Sequence, residues 1–275
     1  MKEPNVISYN ACIDAWAKSG HPNSGQRAYD LLQEMNDLYV KGENVNVKPN
    51  TRSYNSVMNA YAKSSVQDGP QKAEMILDTM EEMFEGGNAD VKPDFFSFAT
   101  VINAWGRSYQ YGKAQRVLNI FRHMTDLYEK GNECVRPNVV IYNAIINACA
   151  YTIGDISEQR RAMEIAHLTL QDLGKSPYAN ADQVTYGTFL KVCENLMPPS
   201  DTRRQLVSVI FKKCAKDGQM GKLVLDQLKS ILPPEQFEEM VGFSMTDHSM
   251  GWKDLPSDWT SNVIEGKKRR RTRLH

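Results

Sequence analysis

The sequence predicts an all-α protein: a right-handed superhelical solenoid of antiparallel helix pairs (an α–α superhelix). Three observations carry this. A seven-residue motif occurs five times at a nearly constant interval. Apolar residues after each copy fall at helical spacing, and a second helical stripe follows within the same interval. No stretch shows sustained strand alternation. Helix pairs at a fixed period bury their apolar faces against their neighbours, which is the logic of a solenoid.

The motif is Pro4-Asn5-Val6-Ile7-Ser8-Tyr9-Asn10, then Pro49-Asn50-Thr51-Arg52-Ser53-Tyr54-Asn55. Further copies are Pro93-Asp94-Phe95-Phe96-Ser97-Phe98-Ala99 and Pro137-Asn138-Val139-Val140-Ile141-Tyr142-Asn143, with a weaker one at Ala181-Asp182-Gln183-Val184-Thr185-Tyr186-Gly187. The aromatic anchors stand at 9, 54, 98, 142 and 186. Pro followed by Asn or Asp is a helix start, because the side chain caps free N–H groups of the first turn.

From each anchor the apolar residues recur at i, i+3, i+4, i+7 and i+8, one face of a helix. The sets are Tyr9, Cys12, Ile13, Trp16, Ala17; Tyr54, Val57, Met58, Tyr61, Ala62; Phe98, Val101, Ile102, Trp105, Gly106; and Tyr142, Ile145, Ile146, Cys149, Ala150. The fifth, Tyr186, Phe189, Leu190, Cys193, breaks at Glu194. Second helices carry Ala28, Leu31, Leu32, Met35; Ala73, Ile76, Leu77, Met80; Ala114, Val117, Leu118, Phe121, Met124; Ala162, Ile165, Ala166 with Leu168 and Leu170; and Val207, Ile210, Phe211, Cys214. The expected organisation is five helix-pair repeats over 1–216, capping helices and a Trp-containing segment over 217–262, and a basic, disordered tail over 263–275.

Lys+Arg and Asp+Glu both number 33, so the formal net charge of the 275 residues is zero. Six cations lie within 267–275, which leaves an acidic body with 27 basic and 33 acidic residues. That balance predicts weak non-specific attraction to nucleic acid. The tail reads as solvated disorder, an electrostatic RNA clamp or a nuclear-import-like run. No apolar run is long enough for a membrane span. Cys12, Cys134, Cys149, Cys193 and Cys214 are scattered, which argues against a disulfide framework or a zinc site and for small buried apolar residues. The histidines lack partners at ligand spacing, and no catalytic constellation or glycine-rich phosphate loop appears. Neither catalytic residues nor a metal or cofactor are expected.

The first helices also carry a polar row, one residue past the anchor and every four residues on: Asn10, Asp14, Lys18; Asn55, Asn59, Lys63; Ala99, Asn103, Arg107; Asn143, Asn147, Tyr151; Gly187, Lys191, Asn195. Such spacing lies along one side of a helix. An amide offers donors and an acceptor to the edge of an unpaired base, and a cation offers charge to phosphate. Asn near a helix start and Lys near its end also serve capping and the helix dipole. Recurrence at one register favours recognition.

These motifs, with the Ala-x-x-Leu-Leu second helix and the closing Val-Lys-Pro-Asn/Asp, resemble pentatricopeptide repeats over roughly residues 4–216. They are similar to the repeat regions of organellar RNA-binding proteins and of protein-only RNase P. The resemblance implies one unpaired RNA base per repeat, read by the residue after the anchor together with the Asn/Asp after the next proline. The pairs are then Asn10 with Asn50, Asn55 with Asp94, Ala99 with Asn138, and Asn143 with Asp182. The implied ligand is a short single-stranded pyrimidine–U–any–U motif. Ala99 and Gly187 depart from the pattern, since neither hydrogen-bonds a base edge. Ile7, Arg52, Phe96, Val140 and Val184 match the base-clamping position, and Lys18, Lys63 and Arg107 the phosphate-contacting one.

These units run 44–45 residues against about 35 in the family, so elongated second helices followed by Gly-Asn loops are expected, with protein partners as a possible use of the inserts. The resemblance implies a non-catalytic RNA binder in a mitochondrion or chloroplast; nucleus and cytoplasm are the alternatives. Rival functions are a protein-binding scaffold and the targeting arm of a larger nuclease. Lys2-Glu3-Pro4-Asn5 reads as the end of a preceding unit, which leaves a fragment or an incomplete gene model as one reading of the chain.

Overall fold

A computed structural model describes residues 3–64, 66–247 and 249–264. All regular structure among them is helical. The tail cations Lys267–Arg273 lie outside the described residues. The chain forms two compact units, 1–180 and 181–275.

The first unit holds four helix pairs: α1 (Val6–Ser19) and α2 (Ser24–Val40), α3 (Thr51–Lys63) and α4 (Gly69–Glu85), α5 (Phe95–Arg107) and α6 (Lys113–Glu129), α7 (Val139–Ala150) and α8 (Ile156–Lys175). The first helices pack one on the next, α1 on α3 on α5 on α7, and α2, α4 and α6 each also pack on the first helix of the following pair. This is a helix-pair solenoid.

The motif residues start these helices as capping chemistry requires. Asn5 Oδ1 accepts from the backbone N–H groups of Ile7 and Ser8, both at 3.1 Å. Asn50 with Ser53 and Asp94 with Ser97 form reciprocal capping boxes, while Asn138 accepts from Val140 N at 2.9 Å. The anchors then tie each pair together. Tyr9 Oη donates to Glu34 Oε1 of α2 at 2.6 Å, and Tyr54 Oη to Met83 Sδ of α4 at 3.3 Å. Burial and the Glu34 carboxylate push the Tyr9 hydroxyl up to about 12.

The excess length has a structural use. α2, α4 and α6 each run 17 residues, and Gly42, Gly87 and Gly131 follow with left-handed φ of 72°, 97° and 98°, where a side chain would be strained. Short 3-10 turns come next (Val45–Val47, Ala89–Val91, Glu133–Val135), capped by Asn44, Asn88 and Asn132. Their last valines, Val47, Val91 and Val135, are fully buried. Lys48 and Lys92 then lie over the rings of Tyr39 and Phe84, 5.4 Å from each centroid. The inserts thus fold back on the helices they extend.

The apolar stripes form the core of the unit, with two corrections. Cys12 and Cys134 are exposed; only Cys149, Cys193 and Cys214 are buried. Cys12 and Ala15 are exposed on α1, whereas the matching Val57 and Ala60, Val101 and Ala104, Ile145 and Ala148 are buried. Cys134 sits on the outer side of its 3-10 turn, one residue before buried Val135. Leu168 is also exposed, and Leu170 with Leu173 take the buried side of α8.

The second unit contains α9 (Gln183–Leu196), α10 (Asp201–Lys216), α11 (Lys222–Ile231), α12 (Pro234–Val241), a 3-10 turn at Trp252–Asp254 and α13 (Ser257–Thr260). The fifth helix pair therefore belongs with the C-terminal helices. α9 packs on both α10 and α11. Trp259 meets Phe211 of α10 edge-on at 5.3 Å, and Leu255 is buried. Glu194, where the apolar stripe broke, is an acceptor: Lys191 Nζ, Gln227 Nε2 and Ser230 Oγ donate to it at 2.7, 2.7 and 2.5 Å. Its carboxyl is raised by burial, but these three donors outweigh that and hold it below the ordinary range.

Candidate nucleic-acid interface

In the first unit the polar rows lie where adjacent first helices meet. Between α1 and α3 a cleft of about 500 Å³ is lined by Ile7, Asn10, Asp14, Lys18, Asn50 and Arg52. The next, about 680 Å³, is lined by Arg52, Asn55, Asn59, Asp94, Phe96 and Thr100. Asn10 shares the first cleft with Asn50, and Asn55 shares the second with Asp94. The flanking positions Ile7, Arg52, Phe96 and Val140 are exposed, as are Lys18, Lys63 and Arg107.

The amides are in different states. Asn10 is 5% exposed, and its Oδ1 is buried with no hydrogen-bond partner among the described residues. A buried amide oxygen in that state costs about 1–3 kcal/mol. Asn55 is satisfied by the next pair: its Nδ2 donates to Asp94 Oδ1 at 3.0 Å, and Ser97 Oγ lies 2.7 Å from its Oδ1. Asn50, Asp94, Asn138 and Asp182 all cap their helices, so each of these four already holds backbone N–H groups. That fixes its orientation at the mouth of the cleft.

Asp14 accepts from Ser56 Oγ at 2.7 Å and pairs with Arg52 at 3.4 Å, which ties α1 to α3 beneath the first cleft. The Arg52 side chain stays 73% exposed, so the face of its guanidinium is open. At the third pair Ala99 is buried and offers no side-chain polar atom, and Asn103 turns back to donate to the Ala99 carbonyl at 2.8 Å. Asn143 is half-buried on α7; Asp182 and Val184 belong to the second unit.

The fifth position differs again. Gly187 is buried under Leu223 of α11, and a Cβ there would stand 1.7 Å from Leu223 Cδ2. Lys191 is engaged with Glu194. The position after the anchor therefore presents no amide at this pair.

Sequence reasoning assigned no role to the serine before each anchor, although Ser8, Ser53 and Ser97 recur in the motif. That recurrence was the available signal for the Ser97–Asn55 contact. It also missed the buried polar groups behind the clefts. Glu74 accepts from Trp105 Nε1 at 2.8 Å and Arg116 Nε at 2.9 Å, locking α4 to α5 and α6. Lys113 is buried, and its Nζ donates to the carbonyls of Gly106 and Ser108 at 3.2 and 2.9 Å. Burial lowers its ammonium, which finishes the C-terminus of α5.

The geometry defines a class first: stacked helix pairs whose first helices meet in a row of amide-lined clefts. The family model for the pentatricopeptide repeat domain matches residues 85–151, from the end of α4 to the end of α7. That stretch carries two of the five motif copies, those at Pro93 and Pro137, and is similar to a pentatricopeptide repeat domain. Among solved structures, the crystal structure of the pentatricopeptide repeat protein PPR10 from maize is similar at a TM-score of 0.44 and 20% identity. That match covers 96% of this chain, which spans only 38% of that one. No curated protein sequence matches the chain.

Proposed function

We propose that the chain is a binding module for single-stranded RNA, taking one unpaired base in the clefts between successive first helices. The preferred segment is pyrimidine–U–any–U, read by Asn10 with Asn50, Asn55 with Asp94, and Asn143 with Asp182; Ala99 with Asn138 leaves the third base unread. Ile7, Arg52, Phe96, Val140 and Val184 clamp the bases, and Lys18, Lys63 and Arg107 meet phosphates. The target is an RNA of a mitochondrion or chloroplast, a reading that rests on the family resemblance alone.

One observation carries the proposal. Asn10 holds a buried, unpartnered amide oxygen at a cleft flanked by exposed Ile7 and Arg52. The Asn10 amide lining that cleft supplies hydrogen-bonding capacity for a base edge, and an apolar or guanidinium surface on each side stacks the ring.

The test is a titration with two short RNAs, one carrying pyrimidine–U–N–U and one with purines at those places. The first binds more tightly, and Asn55→Ala with Asn143→Ala abolishes the difference. Equal binding of both RNAs, unchanged by the double substitution, sinks base reading. Binding that requires residues 267–273 and ignores sequence reduces it to electrostatics.

A further inference from the structure

The turn joining α5 to α6 holds two large aromatic rings out in water. Tyr109 is 86% exposed and Tyr111 69%. Such rings on a loose loop would turn inward to cover apolar surface. This loop is pinned instead. Ser108 Oγ donates to Trp105 O at 2.8 Å, Gln110 Nε2 to Gln67 O at 2.7 Å, and Lys113 Nζ to Ser108 O at 2.9 Å. Gly112 N donates to buried Glu158 Oε1 at 2.9 Å, and Gly112 adopts a φ of 75° that a side chain would resist. The backbone of residues 108–112 is therefore fixed from both sides. Tyr111 lies against Gly154, where a Cβ would stand 3.5 Å from its ring. Tyr109 has its face open.

Beside Tyr109 a groove of about 1060 Å³ runs between this turn and the one joining α3 to α4, with Tyr61, Gln67, Arg107 and Gln110 among its walls. Its single acid, Asp68, is paired with Lys72 at 3.0 Å, and the Lys72 ammonium stands 5.5 Å from the Tyr61 ring centroid. Exposed Arg107 leaves the groove locally positive on an acidic body. An open ring, an exposed guanidinium and side-chain amides within one groove match a base, its phosphate and its edge.

We propose that this groove is a separate nucleotide site, in which a nucleotide flanking the read segment stacks its base on Tyr109 and sets its phosphate on Arg107. The proposal rests on the RNA-binding reading above, because Arg107 belongs both to the polar row and to the groove. It adds a contact that does not depend on base identity, since every base has a π face.

The experiment uses the full chain and a series of U-rich 12-nucleotide RNAs, each carrying 2-aminopurine at one position. One position outside the read segment is quenched on binding, besides those held in the clefts. Tyr109→Ala removes that quench and weakens the 12-mer about 5- to 150-fold, the range of a single base–aromatic stack. Tyr109→Phe retains both quench and affinity, and an isolated pyrimidine–U–N–U tetranucleotide is indifferent to either change. Quench and affinity unchanged in Tyr109→Ala overturn the proposal and leave the groove to a protein partner. The two readings fail separately: purine and pyrimidine RNAs bound alike but weakened by Tyr109→Ala would remove base reading and keep the stacking site. Because Tyr109 is nearly all in solvent, an unchanged thermal unfolding curve confirms that the variants fold.

Discussion

The first and fifth helix pairs put the same register to opposite uses. In the first, the position after the anchor is an amide whose oxygen is buried and unmet. In the fifth it is Gly187, and Leu223 of α11 fills the space where a side chain would stand. One end carries a buried amide oxygen with no partner among the described residues, beside a cleft shared with Asn50. The other removes apolar surface from water within its own unit, where α9 packs on α11. Recognition and stability are thus separable along the chain, and each can be broken without the other.

The largest expected effect is on binding at the first pair. Asn10→Ala deletes a bond worth about 1–3 kcal/mol, so affinity for the pyrimidine–U–N–U RNA falls about 5- to 150-fold in a titration. A smaller but definite effect falls on stability at the fifth pair. Gly187→Ala forces Leu223 aside and lowers the stability of the second unit by about 1–3 kcal/mol in denaturant unfolding, with RNA selectivity unchanged. Adding Leu223→Ala recovers part of the loss; no recovery would show that the close approach is not its cause. Smaller still, Asn10→Ala leaves the melting temperature unchanged or raises it, because it removes a buried group that the free protein leaves unpaired. A clear drop would mean that Asn10 is structural.

The smallest effect is acid sensitivity of the second unit. Glu194 has a folded-state pKa below its ordinary value of 4.5, so its contribution to stability is present above that value and is lost as pH falls through the folded-state value. Glu194→Gln should therefore destabilise the chain at pH 7, by an amount that shrinks as the pH falls below 4.5. A destabilisation constant across that range would show that the carboxylate charge is not involved.

The repeated elements were legible because each depended on neighbours close in sequence. Pro-Asn and Pro-Asp announced α1, α3, α5 and α7 through capping, and the i, i+3, i+4 stripes identified the buried faces. Contacts between pairs were less legible. Ser97 on Asn55 joins residues 42 apart, and the role of Glu194 depends on Gln227 and Ser230 of α11, more than 30 residues away. Gly187 read as a missing base contact; that α11 closes the position follows only from packing. Cys12 fitted an apolar stripe by period, but periodicity assigns a face without saying whether another helix covers it. Tyr109 and Tyr111 lie in a turn and belong to no period, so nothing in the pattern marked their exposure.

The central claim is that the amide clefts select bases and the fifth pair does not. A single-position substitution scan of one short RNA tests this most directly, with affinity measured as each successive base is changed to the other three. The expected profile shows selectivity at the first, second and fourth positions, and none at the third, opposite Ala99, or at the fifth, opposite Gly187. A flat profile, or selectivity at the third and fifth positions equal to that at the first two, would contradict it.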